Sequence, residues 1–271
     1  MPVQPTSHDR NFDDLAERFT RNIYGGLKGQ IRLAVLARDF TDVLPIAPYV
    51  PLTPDKTLNI LDAGGGQGQF SLPLAAAGHS LVLCDISANM LALARRRAVE
   101  LQATDRVRLL HCPAQSVSEH LTDCAPQFDL VICHAVIEWV TEPFALLDSV
   151  LQQLRPGGHL SLIFYNKHAL VYKNLLRANY KKVKSEDYRA YRGSLTPTNP
   201  LTPEALLSYC ASRDLDVLCH SGIRVFYDYI LDPERREREA ESVLGLEQKL
   251  SRELPYRDLG RYIHLLLKKK E

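Results

Sequence analysis

The run Asn59-Ile60-Leu61-Asp62-Ala63-Gly64-Gly65-Gly66-Gln67-Gly68 closes a short apolar segment with an acid and then places four glycines in five positions. A hydrophobic strand that breaks into glycines and resumes as a helix brings bare main-chain amides against a ligand at the edge of a sheet. Dinucleotide sites space their glycines as G-x-G-x-x-G. Here the third place is Gln69 when counted from Gly64 and Gly66, and Ser71 when counted from Gly66 and Gly68. A nicotinamide-dependent dehydrogenase is therefore disfavoured. The pattern present is Asp-x-Gly-x-Gly-x-Gly over Asp62, Gly64, Gly66 and Gly68. On these residues alone it is either the floor of a site or an ordinary tight turn.

A second apolar run, Leu81-Val82-Leu83-Cys84, ends in Asp85. It lies about 20 residues past the glycines, where doubly wound folds carry the acid that binds ribose hydroxyls. One carboxylate accepts from both hydroxyls at once. Capping the next helix is the rival role for Asp85, but Ser87 stands at the capping position and its hydroxyl suits it.

The rest of the chain supports this frame. Short β-rich runs alternate with amphipathic segments, which predicts an α/β fold with a mostly parallel sheet and helices on both faces. Strands are expected near 57–63, 80–85, 107–112, 128–135 and 159–165. Helices fit 68–77, 87–102, 117–121 and 143–154, the last stopped by Arg155-Pro156-Gly157-Gly158. Thr202-Pro203 opens another helix, 233–254 is helical in composition, and 216–226 and 262–268 offer two antiparallel edge strands. Before the sheet, Phe12, Leu15, Phe19 and Ile23 form a helical stripe, and a second helix after Gly25-Gly26 carries Arg32. The expected organisation is a helical cover over 1–50 and a body over 51–271, with a basic insertion at 167–200.

Composition excludes several classes. No apolar run approaches the length that spans a bilayer, and Met1 to His8 lacks the apolar core of a signal peptide, so a cytoplasmic protein is expected. The six cysteines include no C-x-x-C pair, and most fall in strand-like runs, which argues for buried thiols and against a metal site. Monomer and homodimer both stay open. The net charge is +1, yet the insertion concentrates Lys173, Arg177, Lys181, Lys182, Lys184, Arg189 and Arg192, interleaved with Tyr172, Tyr180, Tyr188 and Tyr191. Such a segment either neutralises phosphates while rings stack on unpaired bases or is a solvated basic helix.

Further candidates sit where strands end. The loop His111 to Ser116 follows the third strand, and His134 closes the fourth, beside Glu138 and Trp139. Tyr165 and Asn166 end the fifth strand and are expected to face the acceptor. In the tail, period-two alternation places Arg224, Phe226 and Asp228 on one strand face. The cation Arg224 wants an anion, which is either a substrate group or Asp228.

Taken with Arg10-Asn11-Phe12-Asp13-Asp14, Asn22-Ile23-Tyr24-Gly25, Lys28-Gly29-Gln30, His134-Ala135-Val136, Leu154-Arg155-Pro156-Gly157-Gly158, Phe164-Tyr165-Asn166 and Leu259-Gly260-Arg261-Tyr262-Ile263-His264, the glycine motif resembles that of the tRNA 5-carboxymethoxyuridine methyltransferases. This resemblance implies a Rossmann-like class I methyltransferase fold with seven strands. It also implies methyl transfer from S-adenosylmethionine to the carboxylate of a modified wobble uridine in tRNA. The family's cofactor contacts carry over to Arg32, Gly64, Gly65, Asp85, Ala114, Gln115 and His134, and the glycine motif adds Asp62 and Gly66 as cofactor-binding candidates; Arg32 is expected toward the methionyl carboxylate and Ala114 and Gln115 along the adenine. It tips the basic insertion toward tRNA. A carboxylate acceptor, with a pKa of roughly 4, is already ionised at neutral pH and needs no general base. Catalysis then reduces to alignment, with Arg224, Arg261, Tyr24 and Tyr165 as the groups that position the acceptor. Two rival readings stay open: a methyltransferase for a small carboxylic acid, and an RNA-binding protein that keeps the cofactor only for stability.

Overall fold

The structure, a computed structural model, describes residues 11, 13, 26–44, 46, 57–121, 128–188, 197 and 199–271. The expected stripe from Phe12 to Ile23 lies outside them, as do Tyr24, Cys124, Arg189 and Arg192.

Alternating apolar residues on the strands sort into two cores. On β1 (Asn59–Ala63) and β4 (Phe128–His134), Ile60, Leu130 and Ile132 pack on one face, and Leu61, Val131 and Cys133 on the other. With β2 (Ser80–Asp85), β3 (Val107–His111), β5 (Leu154–Tyr165), β6 (Leu215–Ile223) and β7 (Tyr262–Lys269), they form one seven-stranded sheet. Its order is β3-β2-β1-β4-β5-β7-β6. The first five strands run parallel, and β7 pairs antiparallel with both β5 and β6. The order in which strands are laid down reverses between β1 and β4, the switch point at which such sheets hold ligands.

The first core takes α1 (Gly26–Val43), α2 (Ser71–Ala76), α3 (Ala88–Glu100) and, later in the chain, Val243 of Ala240–Leu250. The second takes α4 (Pro143–Gln152) and, past two helices of the insertion, Leu206 and Cys210 of Pro203–Ser212. Those insertion helices are α5 (Lys167–Leu176) and α6 (Tyr180–Ser185), followed by α7 (Pro203–Ser212), α8 (Pro233–Arg238) and α9 (Ala240–Leu250). Helix α1 packs onto the first core through Ile31, Val35, Leu36 and Phe40, all essentially inaccessible.

Ser87 caps α3 by accepting from the Met90 amide, and Thr202 caps α7 by accepting from Ala205. Two expectations fail. Arg155 to Gly158 does not separate helix from strand. It is a bulge inside β5, where pairing steps from Phe128–Leu154 to Leu130–His159 and Gly157 takes φ +71°. The edge strand does not reach Phe226 either. It ends at Ile223, Arg224 adopts φ +60°, and Tyr227–Tyr229 is a 3-10 turn. Among the described residues, no helix is long and apolar enough to cross a membrane.

Candidate active site

The glycine turn leaves β1 at the switch point, with Gly64, Gly66 and Gly68 all at positive φ. A β-carbon on Gly64 would lie 2.6 Å from Val136 Cγ2, and one on Gly65 would run into the Asp62 carboxylate. On Gly66 the nearest atoms, in Asp85 and Met90, would stand 3.9 Å away, so this amide looks into open space. Asp85 closes that side. Its Oδ2 accepts from the Gly66 amide and its Oδ1 from the Ser87 amide, each at 2.8 Å. Burial raises the Asp85 carboxyl, while those two amides pull it back. Burial likewise lifts Asp62 to about 7, countered by the Ser71 hydroxyl that donates to it.

Around this turn lies a cleft that brings together Arg32, Asp62, Gly64, Gly65, Gly66, Asp85, Ala114, Gln115 and His134. Arg32 is buried, with Cζ 4.4 Å above the Tyr262 ring, so it is not a surface arginine. Trp139 is buried and also lines the cleft. Glu138 is fully buried, and burial raises its carboxyl to about 8 despite the nearby backbone amides and Arg32. Sequence reasoning missed Ile86, Met90 and Val136 on the wall. Ile86 follows the strand-end acid directly, and that position was the available signal. Val136 carries no local signal at all.

A second cluster lies across Tyr262, whose ring has Arg32 on the cleft side and Arg224 Cζ at 5.5 Å. Its centre is Asp228, ion-paired to Arg224 at 3.4 Å and Lys173 at 3.7 Å. Burial alone would raise Asp228, but Arg224, Arg261, Lys173 and Lys28 hold it below the usual carboxylate range. Arg261 lies 4.7 Å over the Tyr165 ring. Tyr165 Oη and Arg261 Nη1 are buried with no hydrogen-bond partner among the described residues, so each is open to a further polar partner.

The sequence expected Arg224 and Asp228 to share a strand face. They meet instead through the turn after β6. Asn166 faces no ligand, because it is buried, caps α5 through the His168 amide and donates to the Asp258 and Gly260 carbonyls. Lys173 turns inward, away from the other lysines of the insertion. Arg177, Lys181, Lys182 and Lys184 are exposed, and Tyr180 is exposed beside them. Tyr172 packs edge-on against Tyr229, and Tyr188 is buried. Among the described residues no group of acids, histidines and cysteines is arranged for a metal, and the five described cysteines are free and buried.

This geometry has relatives. A family model described as a methyltransferase domain matches residues 61–160. A crystal structure of magnesium protoporphyrin IX methyltransferase from Synechocystis PCC 6803, with S-adenosylhomocysteine bound, covers 96% of this chain and 96% of its own at TM-score 0.59 and 17% identity. At that identity it speaks for the fold alone, which is that of class I methyltransferases. The ubiquinone biosynthesis O-methyltransferase of Cronobacter sakazakii is 32% identical over 110 residues, which is 41% of this chain and 43% of that protein. The tRNA 5-carboxymethoxyuridine methyltransferase of Escherichia coli (strain K12) is 40% identical over 261 residues, spanning 96% of this chain and 97% of that protein. The chain belongs to the tRNA 5-carboxymethoxyuridine methyltransferase family.

Proposed function

We propose that this protein is an S-adenosylmethionine-dependent methyltransferase that esterifies the carboxylate of 5-carboxymethoxyuridine at the wobble position of tRNA. The observation that carries the reading is the adjacency of two unlike pockets. The first is a neutral cleft with an acid and open main chain. The second is a buried cation cluster one aromatic ring away.

The cofactor supplies an electrophilic methyl carbon on a sulfonium. Asp85 would hold ribose hydroxyls, Gly64 to Gly66 would offer main chain to the methionyl part, and Arg32 would pair with its carboxylate. Ala114 and Gln115 would line the adenine, and His134 the wall beside the sulfonium. The acceptor carboxylate, ionised at neutral pH, needs orientation and exclusion of water rather than a base. Arg224 and Arg261 would hold it, with Tyr165 as a donor and Lys173 joining them from α5. Asp228 already balances part of that charge, so the acceptor would be gripped without losing its nucleophilicity. Tyr24, the remaining positioning candidate, lies outside the described residues.

The exposed Arg177, Lys181, Lys182 and Lys184, with Arg189 and Arg192, would carry the tRNA backbone, and a tRNA substrate would put the enzyme in the cytoplasm. The same reading treats 1–50 as a cover on the 51–271 body, with 167–200 inserted. It is supported by α1, which delivers Arg32 to the cleft. The deciding experiment is mass spectrometry of tRNA nucleosides from cells with and without this protein. Loss of the methyl ester and accumulation of the free acid are expected. Unchanged ester would overturn the assignment.

A further inference from the structure

Behind the cleft wall runs a chain of hydrogen bonds that the methyl-transfer chemistry above does not use. His134 Nε2 lies 2.7 Å from Ser161 Oγ, Ser161 Oγ lies 3.0 Å from His264 Nε2, and His264 Nδ1 lies 2.8 Å from Asp39 Oδ2. The chain crosses β4, β5 and β7 and ends on α1. Ser161, His264 and Asp39 have no accessible surface. Polar residues so placed, in contact with one another over more than 200 positions of sequence, are held there by more than packing.

The direction of each hydrogen bond follows from the far end. Burial would raise the Asp39 carboxyl, but the His264 hydrogen bond and Arg38 hold it well below the usual carboxylate range. Its Oδ1 accepts from Arg38 Nη2 at 2.8 Å and Arg252 Nη2 at 2.6 Å. Arg252 in turn reaches Asp42 at 2.8 Å. Two arginines therefore face two aspartates, so this cluster is charge-balanced before His264 is counted. Asp39 Oδ2 can only accept, so His264 donates through Nδ1, and with a single ring proton its bare Nε2 accepts from the Ser161 hydroxyl. Ser161 Oγ must then accept from His134 Nε2–H. Burial, with the Arg32 charge nearby, keeps the His134 imidazole well below its ordinary value, so this ring is neutral and its Nδ1 bears a lone pair.

We propose that Asp39, His264 and Ser161 are positioning residues that lock His134 as the Nε2–H tautomer, presenting an imidazole lone pair rather than an N–H to the methyl-donor cleft. This role rests on the cleft's holding the sulfonium cofactor. A lone pair attracts the cationic donor and gains nothing from the neutral thioether left after transfer, so the wall would favour the substrate form over the product form.

The test reads protons directly, by long-range proton–nitrogen correlation of the histidine rings in the whole labelled protein, with His134 and His264 identified by substitution. The wild type is expected to show Nε2–H at His134 and Nδ1–H at His264. Asp39→Asn can keep its oxygen toward Arg38 and Arg252 while placing an N–H where Oδ2 accepted. It should reverse every donor in the chain and move the His134 proton to Nδ1, as an Asp-to-Asn change does for a triad histidine. In that variant S-adenosylmethionine should bind about tenfold more weakly and S-adenosylhomocysteine no more than about twofold, the scale of one reversed polar contact. Ser161→Ala should cut the chain, so that residue 39 no longer affects His134. A His134 Nδ1–H signal in the wild type overturns the proposal, as does an Asp39→Asn variant that folds and leaves His134 unchanged. Equal weakening of both ligands reduces the chain to a structural role. Failure of the wild type to bind either ligand overturns the cofactor reading itself, whatever the tautomer. Should Asp39→Asn not fold, the wild-type tautomer and Ser161→Ala decide the matter.

Discussion

The cleft around Asp85 is walled by main chain and short loops at the ends of four adjacent parallel strands, whereas the pocket around Asp228 is assembled from side chains of α5, the turn after β6 and the start of β7. The first depends on where the backbone stops. Its geometry is fixed once the sheet forms, because strand pairing brings Asp62, Asp85 and His134 to one edge. The second depends on charges that restrain one another, with Asp228 facing several cations across a few ångströms. Damage on the donor side should therefore be close to all-or-none, while the acceptor side should respond in graded steps that track charge.

The largest effect is expected from Asp85→Ala. Two hydrogen bonds to an ionised acceptor contribute about 1.5–3 kcal/mol each, so S-adenosylmethionine affinity should fall by at least about a hundredfold in calorimetry. Affinity for tRNA should stay nearly intact. If both ligands weaken together, the two pockets are not separable in the way described, and unchanged cofactor affinity would refute the ribose role.

A contrast between neighbouring glycines sharpens the same point. At Gly65 a β-carbon would collide with the buried Asp62 carboxylate and lie 2.8 Å from Leu83. Gly65→Ala should therefore lower unfolding stability by about 1–3 kcal/mol, the range for overpacking a core. At Gly66 the space is open and only the positive φ is penalised, by about 1–2 kcal/mol. Gly66→Ala should remain folded and lose cofactor affinity, because the methyl enters the cleft. Urea denaturation paired with ligand titration distinguishes the two variants, and the same ranking in both measurements would argue against an open main-chain floor.

The donor side was legible in the sequence because its residues sit at strand ends, and strand ends follow from apolar runs and glycines. Asp62, Asp85, Ala114 and His134 each close or follow such a run. The acceptor side was legible only in part. Arg224 and Arg261 were marked by their aromatic neighbours, but the strand was read three residues too long, because nothing local announces that Arg224 turns to φ +60°. Lys173 was counted with the surface lysines, since a charge run does not say which member the helix points inward. The link from His134 to Asp39 was invisible. Its members lie on separate elements, and no spacing rule connects residues 39, 134, 161 and 264.

Lys173 offers a graded test. Burial, with Arg261 nearby, lowers its ammonium to about 8 although Asp228 opposes the shift. An unfolded lysine titrates near about 10.4. Between those values the unfolded chain holds a proton that the folded one has released, so this group makes stability rise with pH there, and below about 8 its burial penalty is fully present. An arriving carboxylate favours the charged form. The KM for carboxylated tRNA should therefore rise as pH passes 8, by up to about tenfold at pH 9, one unit above that pKa, while cofactor affinity stays flat. Lys173→Met should abolish that inflection. An inflection that persists in the variant would move the titrating group elsewhere.

The smallest effect per charge is expected on the insertion's outer face, where Lys181, Lys182 and Lys184 of α6 are exposed. Each phosphate neutralised by a lysine releases about 0.7–0.9 of a counterion, so replacing all three by alanine should flatten the slope of log affinity against log salt by about 2 to 3. The loss of tRNA affinity should be uniform across tRNA sequences and fade toward high salt, because backbone contacts carry no base readout. Turnover at saturating tRNA should not change, since Lys173, the one inward lysine of the segment, is untouched. An unaltered salt slope would assign α6 to solvent and leave the inner cation cluster to hold the substrate without it. A slope that flattens together with a fall in saturated turnover would mean instead that the insertion aligns the acceptor as well as holding the RNA.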